Sequence, residues 1–211
     1  MLEELLALVA PPGCAVCGGE CEVRRRLCET CECALRGQAP VWSAVPGLDL
    51  AWSAAPYEGT ARNLVAALKF RARIGLAEDA AGLIADRVPR HRLSGAIVPV
   101  PAAPTRRRRR GFDAAEAIAA ALARRCGLAV APCLARSEGG RQVGRRRSER
   151  LADPPRVTVV SPVPEEALLV DDVMTTGATL GACAEALRVA GSARITGITL
   201  AASRPCKYGL A

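Results

Sequence analysis

The chain has 211 residues, 50% of them hydrophobic, with a mean hydropathy of +0.16, which excludes an intrinsically disordered polypeptide and allows one substantial core. No run of about 18 apolar residues occurs, and Glu3 and Glu4 stand where a secretion signal would carry basic residues, so the sequence reads as cytoplasmic without a membrane span. The net charge of +8 is concentrated in one block, because residues 106–156 hold 14 arginines against five acids.

That block points to a phosphate-bearing partner, either a phosphorylated metabolite or a nucleic acid backbone. The composition carries a plainer reading as well. Of 29 basic residues only Lys69 and Lys207 are lysines, as an arginine-biased codon usage would produce.

In chain order, residues 1–40 read as an N-terminal helix and a cysteine ribbon, and residues 41–211 as a second domain. Six of the ten cysteines lie between Cys14 and Cys33. The runs "CAVC" and "CETC" place Cys14, Cys17, Cys28 and Cys31 as two pairs, each with a two-residue gap that turns both sulfurs toward one ion. This is the spacing of a structural zinc site, closed by four thiolates with no position left for a reacting water. Cys21 and Cys33 stand close enough in sequence to substitute for a neighbour. The scattered Cys126, Cys133, Cys183 and Cys206 lie in apolar surroundings and read as core thiols.

Beyond the ribbon, a strand is predicted over 50–57, then a helix with Leu64, Val65 and Leu68 on one face, and a second helix over 76–88. "GAIVPVP" reads as a buried strand running into a loop, "GFDAAEAIAAALARRCG" as a helix closed by Gly127, and "LAVAPCLA" as a strand. "ALLVDDV", "TGATLGACAEALRVAG" and "ARITGITLAA" complete the alternation as strand, helix and strand. The pattern predicts an α/β fold with a mostly parallel central sheet flanked by helices, whose ligands bind beyond the carboxyl ends of the strands.

The stretch "LLVDDVMTTGATL" then acquires a chemical meaning. If 168–170 is a central strand, Asp171 and Asp172 emerge at its carboxyl end. The small residues that follow lead into a helix, so the backbone N–H groups of residues 175–179 converge with the helix dipole on one anion, helped by threonine hydroxyls. Gly177 lets backbone approach the anion without a Cβ in the way. Carboxylates beside a phosphate seat suit a sugar phosphate.

Neither the Walker-type loop nor a G-x-G-x-x-G turn is present. The thirteen residues 168–180 closely resemble the phosphoribosyl diphosphate signature of type I phosphoribosyltransferases. With the cysteine ribbon, "YEGTARNLVAALKFRAR", "IVPVPAAPTRRRRRGFD", and the later Gln142 and Arg150, nearly the whole chain resembles the ComF family. The resemblance implies the type I phosphoribosyltransferase fold and a role in DNA uptake during natural competence, with single-stranded DNA or other competence proteins as partners. It also implies Asp171 and Asp172 at the ribose and Thr175, Thr176, Gly177, Ala178 and Thr179 at its phosphate. Arg110, Gly111, Gln142 and Arg150 fall elsewhere around the ligand, and Mg2+ accompanies the diphosphate. Where the family reads F-N-Q after "RRG", this chain has Phe112, Asp113 and Ala114. The usual Thr, Leu and Asn near Gln142 are Gly139, Arg145 and Asp153.

Two function classes follow. One is an enzyme transferring phosphoribosyl from the diphosphate to a nitrogen acceptor, with an arginine loop taking the pyrophosphate and residues 136–155 as either a lid or a basic disordered loop. The other is a non-catalytic module for a nucleotide or single-stranded DNA. Of the six aromatics only Phe112 lies in the arginine block, which offers little stacking surface for bases. Trp42, Trp52 and Tyr57 read as core residues or as a hood over a base.

Overall fold

A computed structural model describes residues 13–23, 25–70, 74–137 and 155–203. Residues 13–20 form a tight turn closed by a bridge between Gly13 and Glu20, and α1 (Glu29–Gly37) follows. The helix expected ahead of this turn lies outside the described residues.

The remaining elements run β1 (Val41–Ser43), β2 (Leu50–Pro56), α2 (Gly59–Phe70), α3 (Leu76–Arg87), β3 (Ala96–Pro99), α4 (Pro104–Arg110), α5 (Ala114–Cys126), β4 (Leu134–Arg136), β5 (Val157–Val159), β6 (Glu166–Met174), α6 (Ala178–Val189) and β7 (Arg194–Ala202). Five strands form one sheet in the order β1-β2-β7-β6-β3, with β1 antiparallel to β2 and the other pairs parallel. β6 therefore lies inside the sheet. Its residues Ala167, Leu168, Leu169 and Val170 are all buried, as expected of a strand covered on both faces.

Alternation along β6 divides the core into two layers. Leu168 and Val170 pack with Leu64 and Leu68 of α2, Ile84 of α3, and Ile118 and Leu122 of α5. Ala167 and Leu169 pack with Leu180, Cys183 and Leu187 of α6 and with Leu134 of β4. Each fully buried leucine or isoleucine contributes roughly 1.5 to 3 kcal/mol. Cys14, Val16, Leu27, Cys31 and Leu35 join the first layer, so the cysteine-rich segment shares a core with α2 and α3.

Two expectations need correction. The stretch "LAVAPCLA" is not one strand: Val130 makes a single parallel bridge to Ile97, and β4 begins only at Leu134, in a separate two-stranded sheet with β5. Pro132, which has no N–H to donate, stands between them. The arginine run is a helix, not a loop. Pro104 opens α4 at its first turn, where a missing N–H costs nothing, and Gly111 closes it at φ +77°.

Candidate functional site

The ends of β3 and β6 lie together because the two strands are parallel, with Pro99 opposite Val170. The turn after β6 and the segment leading into α4 are thus neighbours at the carboxyl edge of the sheet, where α/β folds place ligands.

β6 does not stop at Val170. It continues to Met174, so Asp171 and Asp172 belong to the strand itself. Asp172 is buried, contrary to the expectation that both carboxylates stand clear of the core. Its side chain faces the α2 layer, where Oδ1 meets Lys69 Nζ at 2.7 Å. Burial draws the Lys69 ammonium down to about 8, the charges of Arg110 and Arg106 add to that fall, and Asp171 and Asp113 oppose it.

Asp171 points into the other layer and is only half-buried; its Oδ1 accepts the Asp172 backbone N–H at 2.7 Å. Depth in the fold pushes its carboxyl up to about 7, against the pull of Lys69 and Arg136 and with a further push from Asp113. The two acids thus differ in partner and exposure.

The turn after β6 shares a hollow with one of them. Asp171, Thr175, Thr176, Gly177, Ala178 and Thr179 line a shallow cavity of about 30 Å³. Thr175 and Thr176 are exposed, and the Thr176 hydroxyl accepts the Ala178 N–H at 3.3 Å. Gly177 caps α6 at φ +76°, and the first helical bond runs from the Gly181 N–H to the Gly177 carbonyl at 2.8 Å. The earlier N–H groups have no acceptor within a helix and, with the dipole, favour an anion.

Across the edge, α4 presents Arg106 to Arg109 to solvent, and Arg110 is half-buried. Burial lowers the Arg110 pKa, Arg106 and Arg109 lower it further, and Asp113 opposes them. Arg136 of β4 behaves similarly: burial and Arg106 lower its pKa, while Cys183 and Asp171 raise it. Cations from α2, α4 and β4 therefore share one electrostatic neighbourhood with Asp113 and Asp171.

The four paired cysteines converge in the N-terminal segment. The Sγ atoms of Cys14, Cys17, Cys28 and Cys31 all lie within 4.8 Å of one another and could hold a metal ion. A tetrahedron with metal–sulfur bonds of about 2.3 Å has edges of about 3.8 Å, and Cys17 Sγ to Cys28 Sγ is 3.7 Å. Cys28 is the N-cap of α1 and Cys31 lies in its first turn, so the helix, not a second ribbon turn, brings that pair onto one face. Burial raises the Cys14 thiol, but N–H groups of Cys17, Cys28 and Val16 outweigh it and bring the pKa down to about 6. Cys31 is raised by burial and by hydrogen bonding with the other three sulfurs. Cys21 instead donates to the Arg25 carbonyl at 3.4 Å.

Of the residues singled out in the sequence, the structure brings Asp171 and residues 175–179 together at one hollow, and turns Asp172 away to Lys69. Arg110 and Gly111 end α4, and Gln142 and Arg150 lie outside the described residues. Trp52 is buried in the core and Trp42 stands edge-on to it across the β1–β2 pair. Three residues were missed: Lys69, Asp113 and Arg136. Only Lys69 carried a signal, as one of two lysines in an arginine-dominated chain. A larger groove of about 1010 Å³ flanks α6, lined by Gly47, Val157, Val159, Gly181, Ala186 and Val189 among others, but the acids of β6 and the arginines of α4 are not on its walls. Compared with models of protein families and with curated proteins, the chain matches none.

Proposed function

We propose that the carboxyl edge of β3 and β6 binds phosphoribosyl diphosphate or a related ribose 5-phosphate ester, within a type I phosphoribosyltransferase fold of the ComF kind. The observation that carries this reading is the hollow shared by Asp171 and the 175–179 turn, beside the cations of α4, α2 and β4. The turn's N–H groups and hydroxyls take the 5′-phosphate, Asp171 takes a ribose hydroxyl, and the arginines face the diphosphate. Planar guanidinium groups suit phosphate oxygens.

In the transfer reaction a nitrogen nucleophile forms a bond to the anomeric carbon. The carbon–oxygen bond to the diphosphate breaks with its electron pair leaving on pyrophosphate, and the nitrogen gives up a proton. Positive charge develops on the ribose, so fixed carboxylates stabilise the transition state electrostatically. Mg2+ would arrive with the diphosphate, held mainly by the ligand's own oxygens, and neutralise the leaving charge.

Calorimetric titration with phosphoribosyl diphosphate and Mg2+, followed by pyrophosphate release against a panel of nitrogen bases, tests the reading. Binding with release supports the enzyme. Binding without release leaves a ligand-holding module, and binding of neither diphosphate nor ribose 5-phosphate overturns the site. Salt-sensitive, sequence-independent binding of single-stranded DNA without either ligand would favour the nucleic acid alternative.

A hydroxyl donated to Asp171 favours the ionised carboxylate, so ligand binding should release a proton from a group held near pH 7. Ribose 5-phosphate affinity is expected to rise between pH 6 and 8 more steeply in the parent than in Asp171→Asn, which keeps the phosphate's own titration but lacks the acid. Parallel curves would remove Asp171 from the ribose.

The cysteine cluster is proposed to hold one structural Zn2+ per chain. Elemental analysis of protein purified without chelators should find one zinc, and Cys21→Ser, whose sulfur is bonded to a backbone carbonyl, should retain it. Loss of zinc in that variant would move Cys21 into the ligand set.

A further inference from the structure

α4 is a poor helix by its own physics. It has seven residues, five of them consecutive arginines, so it is short and self-repelling. Its exposed ion pair between Arg107 and Glu116, at 3.2 Å, contributes little. A buried side chain also ties the segment down. Asp113 is 6% exposed, and its two carboxylate oxygens serve opposite ends of the segment. Oδ1 accepts the Ala115 N–H at 3.0 Å and so caps α5; Oδ2 accepts the Ala102 N–H at 2.8 Å, ahead of α4. The chain that leaves β3, forms α4 and enters α5 is thereby clasped across its base.

The clasp needs a carboxylate. An asparagine offers one oxygen and an NH2 group, so it can cap α5 or accept from Ala102 but not both, and the second N–H would face a donor. Resting on the reading above, we infer that Asp113 is a positioning residue that holds the arginine helix α4 at the carboxyl edge of β3, and so sets affinity for the diphosphate end of the ligand without touching the phosphate seat of residues 175–179.

Asp113→Asn is the informative variant, because it keeps volume and can keep the cap. Asp113→Ser, a good cap too short to span both contacts, serves as a second. Three quantities are measured for each: affinity for pyrophosphate with Mg2+, affinity for ribose 5-phosphate, and the rate at which trypsin cuts after Arg106 to Arg110, read by mass spectrometry in the absence of ligand. Both variants should lose about tenfold in pyrophosphate affinity, the worth of one charged hydrogen bond, with ribose 5-phosphate within about twofold of the parent. Cleavage within α4 should accelerate. A merely structural role would lower both affinities in proportion. That outcome, or unchanged pyrophosphate affinity with unchanged cleavage, overturns the inference. A parent that binds neither ligand overturns the underlying reading and this inference with it; a parent that binds both, with variants showing no split, overturns this inference alone.

Discussion

Gly177→Val is expected to abolish binding of ribose 5-phosphate, a ligand that carries no diphosphate and so reports on the turn alone. Two effects combine. The backbone there has φ +76°, where a side chain costs about 1 to 2 kcal/mol and a β-branched one more. An added Cβ would also stand 2.9 Å from Val45 Cγ2, inside contact distance. Relief of that clash would move the turn that aims N–H groups at the anion, so affinity should fall by at least about a hundredfold. Part of the damage falls on α6, which the glycine caps, so circular dichroism and a melting curve accompany the titration. Gly177→Ala combined with Val45→Ala separates the causes: the clash is relieved, the φ strain stays, and binding should recover in part. A folded Gly177→Val protein that binds as the parent does would place the phosphate elsewhere.

Lys69→Met should destabilise the fold by about 3 to 5 kcal/mol, because it leaves Asp172 buried with its charge uncompensated. Lys69→Met with Asp172→Asn should recover most of that loss, since a neutral pair needs no counter-ion, and denaturant melts of both singles and the double measure the coupling. The pH dependence of the parent has its own sign. The Lys69 pKa is lowered on folding to about 8 from 10.5, so its contribution is present above the unfolded value and lost as pH falls through about 8. Asp171 is raised to about 7, so its contribution is present below its unfolded value and lost as pH rises through about 7. Together these groups stabilise the parent least between about pH 7 and 8, and Lys69→Met should lack the rise above pH 8 that Lys69 supplies. Single-variant melts indistinguishable from the parent would show that the ion pair contributes nothing.

The alternation of apolar runs with periodic segments foretold α2, α3, α5, α6, β2, β3, β6 and β7, because each buries a whole face and the burial is written in residue spacing. The turn at 175–179 was readable as a strand-to-helix turn for a different reason, since a glycine among small and hydroxylated residues stands just ahead of a helical period. What the residues could not reveal was direction. Asp171 and Asp172 are adjacent in sequence, yet the pleat sends them to opposite layers, and only the position of α2 decides that Lys69 meets Asp172. Asp113 stayed hidden because its role depends on Ala102 being brought within 2.8 Å by the path of α4. The arginine run misled for a simpler reason: five like charges argue against a helix until Pro104, Gly111 and the clasp are placed.

The strand order β1-β2-β7-β6-β3 also constrains how the molecule comes into being. β7, the latest described strand in the sequence, is inserted between β2 and β6, which are separated by more than a hundred residues of chain. During synthesis the cysteine turn and α1 leave the ribosome well before the last strands of the sheet, with all four sulfurs already present by Cys31. The sheet cannot close until residue 202 emerges, and until then β2 and β6 each expose an edge of unpaired backbone. Such long-range parallel pairing folds slowly. The acids of β6 thus occupy their final layers only once β7 has been made, so a product interrupted before Arg194 holds all four cysteines of the cluster without a closed sheet.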